Sequence, residues 1–131
     1  MRSKYFCLLV FFILTLCVYS QTVKTEPIDS IYETPEIVAY YPNLVQFISK
    51  NFQCPPKAIE NNLKGYSKIE FIVHKNGTLS NFIVIEGFEG CKECDEEAIR
   101  VLKKTKKWIP ARENGEKVSS RQTQIIKFSI M

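Results

Sequence analysis

Histidine is almost missing from this chain. Its 131 residues contain one, His74, so neither a Ser-His-Asp triad nor a metal site built on several histidines can be assembled from a single copy. An excess of one charge is missing as well. There are 18 Lys and Arg against 14 Asp and Glu, and setting aside Arg2 and Lys4 at the extreme N-terminus leaves 16 cations against the same 14 acids. A nucleic-acid-binding domain needs a strongly basic face, so no nucleic acid is expected as a partner. Internal repeats and low-complexity tracts are absent, which excludes solenoids and repeat arrays. Long apolar runs are scarce too. The most apolar run, residues 5–19, has 15 positions, short of the ~20 that a membrane-spanning helix needs.

What is there is enough for one folded unit. A hydrophobic content of 45% with 12% aromatics gives apolar area to offset chain entropy. The short N-terminal run follows Arg2 and Lys4 and ends at Val18-Tyr19-Ser20, the pattern of an export signal cut ahead of Gln21. Residues 1–20 are therefore expected as a signal peptide and the mature protein in the periplasm, the alternative being retention in the inner membrane by the uncleaved segment. A lipid-modified Cys17 is disfavoured, because Leu16 is too large for the position before it. Residues 21–40 carry Pro27 and Pro35 without periodicity and read as a linker, and residues 41–131 as the domain.

Within that domain, Leu44, Val45, Phe47 and Ile48 after Pro42 predict a short helix over 43–51. A second is expected over 56–64, with Pro56 in its first turn and Gly65 as its left-handed cap. Residues 66–74 alternate, with Ile69, Phe71 and Val73 on one face, as a half-buried strand does. Asn76-Gly77 then turns the chain into a second strand over 79–86. This reading also accounts for Asn76-Gly77-Thr78, which is formally a glycosylation acceptor. Asp95 is placed as an N-cap, followed by Ala98, Ile99, Val101 and Leu102 on one face. Lys103, Lys104, Lys106 and Lys107 crowd the far end of that helix, where cations complement the dipole. A polar loop with an Asn114-Gly115 turn leads to a last strand over 118–130.

The candidate chemistry is thin. Export leaves Cys54, Cys91 and Cys94 in an oxidising compartment. Proximity favours a Cys91–Cys94 disulfide, whose short loop contributes on the order of 2 kcal/mol, with Cys54 outside it. Redox work by that pair is the alternative. It is opposed by Glu89, Glu93, Glu96 and Glu97, since nearby anions raise a thiol pKa. Zinc would have only Cys54 and His74 to complete its ligands, so no metal and no cofactor are expected.

Taken in order, Gln53-Cys54-Pro55, Gly65 before a strand, Asn76-Gly77, Asp95-Glu96-Glu97-Ala98, Trp108-Ile109-Pro110, Asn114-Gly115-Glu116-Lys117-Val118 and Ile126-Lys127-Phe128-Ser129-Ile130 resemble the C-terminal domain of TonB. The form is the one common in Bacteroidetes-type proteins. The sequence departs from the family pattern at Cys54, where Tyr is usual, and at Ala111, where Gly is. The resemblance implies a two-layer α+β fold, ordered α-α-β-β-α-β, with a three-stranded antiparallel sheet packed against a helix.

It also implies a non-enzymatic module, related to TonB-dependent transport, that takes an extended peptide of an outer-membrane receptor by strand addition. The binding edge carried over is Arg121, Gln122, Thr123, Gln124, Ile125, Ile126 and Lys127, flanked by Asn51, Phe52, Gln53 and Cys54. Another envelope protein, or a second copy in a homodimer, is the alternative partner. A thiol-redox or redox-sensing protein and an envelope structural adaptor that binds through Lys103, Lys104, Lys106 and Lys107 are the alternative functions. At about 20 residues the linker spans at most ~70 Å, so a free exported domain is not expected to transmit force from the inner membrane.

Overall fold

The computed structural model describes residues 30–129. The expected signal peptide, the first part of the linker and Ile130 lie outside the described residues. In chain order the elements are β1 (Ile31–Tyr32), α1 (Leu44–Asn51), α2 (Pro56–Glu60), β2 (Lys64–Val73), β3 (Leu79–Glu86), α3 (Lys92–Lys104), β4 (Ala111–Glu113) and β5 (Glu116–Ser129).

The α+β class stands, but the sheet differs from the expected three antiparallel strands. It has five strands in the order β1-β5-β2-β3, with β4 also paired to β5, and it is mixed because β1 runs parallel to β5. The antiparallel heart is β5-β2-β3. Strands β2 and β5 pair from Lys64↔Ser129 to Val73↔Ser120, so one side of β5 is occupied by β2 over residues 120–129 and only the other side can be open there.

Alternation along β2 explains the layering. Ser67, Ile69, Phe71 and Val73 are buried beneath α3, which contributes Ala98 and Leu102 to the same core. Burying one such side chain stabilises by ~1.5–3 kcal/mol. Trp108 closes one end of this core, edge-on to Phe71 at 5.3 Å and tilted against Tyr41 at 5.7 Å. Its indole N–H donates to Thr105 Oγ1 at 2.7 Å, and that hydroxyl donates to the Leu102 carbonyl at 2.6 Å, so the buried polar groups where α3 ends are satisfied.

Three local expectations change. Helix α2 ends at Glu60 and the left-handed position is Asn62, with φ of 49°. Gly65 instead sits in β2, where an added Cβ would lie 3.0 Å from the Phe88 ring. It is a packing glycine, not a cap. Helix α3 begins earlier than Asp95, with Cys91 as its N-cap. Residues 111–113, expected as loop, form β4, joined to β5 through Asn114 and Gly115, both at positive φ, the backbone that a two-residue hairpin turn requires.

Residues 30–40, expected as linker, are packed. Besides β1, Ile37 bridges Arg112, Tyr40 bridges Ile109, and Ala39 is 2% exposed within the core. Two-residue pairings with single inward side chains carry no periodicity, which is why the sequence pattern did not reveal them.

Candidate functional site

Strand β5 has two sides. One pairs with β2 over residues 120–129, and the other is covered only in part. Strand β1 occupies Ser119 and Ser120, and β4 pairs positions 116–118. Past Ser120, no strand among the described residues lies on the side of β5 facing away from β2. The expected peptide-binding residues 121–127 fall on this stretch.

Their individual roles differ. Arg121 is engaged already, its Nε donating to Glu33 Oε1 at 2.9 Å and its Nη1 to Glu70 Oε1 at 2.7 Å. It fastens the chain just after β1 and marks where the covered part of the edge ends. Gln122 is half-buried, Thr123 and Lys127 are exposed, and Ile125 is 46% exposed. Ile126 is buried in the core, and two residues on Phe128 packs against that core, as the two-residue period of a strand dictates. Gln124 is half-buried, and its side-chain amide donates to the Ile125 carbonyl at 3.2 Å.

Helix α1 forms the opposite wall, a feature the sequence reading missed. Val45, Ile48 and Ser49 face residues 124–127 across a cleft of about 290 Å³. A neighbouring cleft of about 370 Å³ continues past Ser49, Phe52 and Cys54 to Lys127 and Phe128. The usable signal was Val45, one more apolar residue than a two-turn helix needs for a single buried face. It is 76% exposed.

Two of the four flanking residues, Asn51 and Gln53, are bonded to α3. Arg100 donates from Nε to Glu97 Oε2 at 2.7 Å and from Nη2 to the Asn51 carbonyl at 2.8 Å, while Glu97 Oε1 accepts the Gln53 N–H at 2.7 Å. The Arg100 fork holds the Glu97 carboxyl below its ordinary pKa against the opposing effect of burial, and the Gln53 N–H adds to the lowering. Phe52 stacks on Phe128, with centroids 4.2 Å apart, so the flank closes the end of the cleft. Cys54 carries a free thiol.

The other candidates lie away from this edge. Cys91 and Cys94 are at disulfide distance, with Cα atoms 5.3 Å apart. His74 Nε2 is 2.6 Å from Ser80 Oγ beside the hairpin, and Lys103 Nζ lies 5.5 Å over the Phe82 ring. Among the described residues no three His, Cys, Asp or Glu side chains are grouped to hold a metal, and no helix is long and apolar enough to cross a membrane.

A small α+β domain with a half-open central strand and a helix lining the gap is the class that this geometry defines. The family described as Gram-negative bacterial TonB protein C-terminal matches residues 50–130, and the chain belongs to it. Domains of this family are non-enzymatic, transport-associated binding domains of the cell envelope. The solution structure of the C-terminal domain of Helicobacter pylori TonB is similar in fold. It is 15% identical, covers 67% of this chain and 78% of its own, and has a TM-score of 0.50. A search of curated proteins finds no match.

Proposed function

We propose that the domain binds an extended peptide of an outer-membrane receptor, in the periplasm, by adding it as a strand to the open side of β5 over residues 121–127. The observation that supports this most is the combination of an unpaired strand side with a cleft walled by α1. Backbone N–H and C=O groups along 121–127 supply the directional bonds, and Val45, Ile48 and Ile125 offer apolar contact to alternate peptide side chains. Residues 1–20 act as the signal that exports the chain, and the packed residues 30–40 belong with the domain.

The test uses the alternation of a strand. Consecutive residues point their N–H groups to opposite sides, so of Gln124→Pro and Ile125→Pro one removes a donor from the β2 ladder and the other a donor from the open side. The expected outcome is that one variant loses stability, whereas the other keeps its circular dichroism and loses binding to peptides from the periplasm-facing segments of outer-membrane receptors. Gln124→Ala should keep most of the affinity, because the bonds are made by the backbone. Wild-type affinity in the proline variant that stays folded would overturn strand addition at this edge. A second copy of the chain is the competing occupant, and concentration-dependent mass in solution would reveal it.

A further inference from the structure

Cys54 flanks the peptide edge, and on its other side it meets the two remaining cysteines. Cys91 and Cys94 are each 1% exposed and share a buried cluster with Ala58 and Phe88, and the partly exposed Cys54 packs against that cluster. The hydrogen bond from Gln53 N–H to Glu97 ties the residue before Cys54 to α3 three positions beyond Cys94. Positions three apart share a helix face, so Cys54 approaches α3 on the side of Cys94. A cleft of about 410 Å³, lined by Gln53, Cys54, Glu93 and Glu97 among others, opens Cys54 to solvent. The paired cysteines are buried.

We propose that Cys54, Cys91 and Cys94 form a thiol–disulfide exchange site in which Cys54 is the entry point for a small thiol from solution. The Cys54 thiolate attacks Cys94 Sγ, the Cys54–Cys94 bond forms, and the Cys91–Cys94 bond breaks. Cys91 leaves as a thiolate and takes up the proton that Cys54 gave. A small thiol then attacks Cys54 Sγ, which frees Cys94 as a thiol and leaves a mixed disulfide on Cys54. A second molecule of that thiol resolves it. The small thiol is oxidised to its own disulfide, and all three protein sulfurs end reduced. Exchange requires access of the attacking sulfur to the bridge, and burial of Cys91 and Cys94 closes the direct route. The test is run on the domain without peptide, so its failure and the failure of the peptide reading are separate results.

Trypsin separates the three sulfurs, since Lys50, Lys57, Lys75, Lys92 and Arg100 place each on its own peptide. With glutathione as the probe and alkylation of freed thiols as the readout, Cys54→Ser should slow opening of the Cys91–Cys94 bridge roughly tenfold or more. Equal rates in wild type and Cys54→Ser would overturn the proposal. A second variant tests the geometry. Cys91→Ser leaves Cys54 and Cys94, and under air with a trace of glutathione the 51–57 and 93–100 peptides should be found joined. Recovery of both as separately alkylated peptides from protein that is folded by circular dichroism would overturn it as well.

Discussion

Asp95 shows at the residue scale how one carboxylate holds two layers. Its Oδ1 accepts the Ser67 hydroxyl at 2.5 Å and the Phe88 N–H at 2.8 Å, so it joins β2, the loop after β3 and the first turn of α3. Read from sequence as a cap for its own helix, it satisfies buried donors of other elements instead. Removing one partner from buried polar groups costs more than a hydrogen bond contributes. Asp95→Ala should therefore destabilise the domain by ~2–3 kcal/mol, and Asp95→Asn, which keeps an acceptor, by less, as read from urea unfolding midpoints. Glu97 gives the pH counterpart. Its carboxyl is held below the ordinary value in the fold, so its contribution is complete above the unfolded carboxylate range and fades as pH falls through the folded value. Unfolding midpoints of wild type and Glu97→Gln should lie apart at neutral pH and converge in acid.

At the scale of elements, the sequence was legible wherever a period ran long enough. Strand β3 has the expected bounds, 79–86, and β2 shows the expected alternation through Ile69 and Phe71, although Ile72, on the opposite face, is buried as well. The hairpin turn fits too, with Gly77 at φ 84°, an added Cβ there lying 2.5 Å from the Trp108 carbonyl oxygen. Short pieces were not legible. Strands β1 and β4 span two and three residues, and their pairing depends on where β5 travels, which no local pattern encodes. Pro27 and Pro35 also made the leading segment look unpaired. The open side of β5 was anticipated from family resemblance, whereas its α1 wall was not. Packing of residues 30–40 has a direct test. Ala39 is buried beside Trp108 and Ala111 in one cluster, so Ala39→Asp should cost ~3 kcal/mol or more by burying a charge without a partner. A lowered melting temperature checks this, because an unpacked linker would show no change.

For the molecule as a whole, the two ends of β5 are treated differently by the chain that surrounds them. Toward Glu116 the strand is screened by β4 and β1, and the Arg121 bond to Glu33 closes that screen. Toward Ser129 it lies open beside α1. The fold thus acts as a ruler. A strand added as proposed would meet a stop at β1 and have only residues 121–129 to run along, roughly 30 Å at ~3.4 Å per residue. A visiting chain can gain ladder bonds over that length and no further, so residues beyond it add reach to the partner without adding grip.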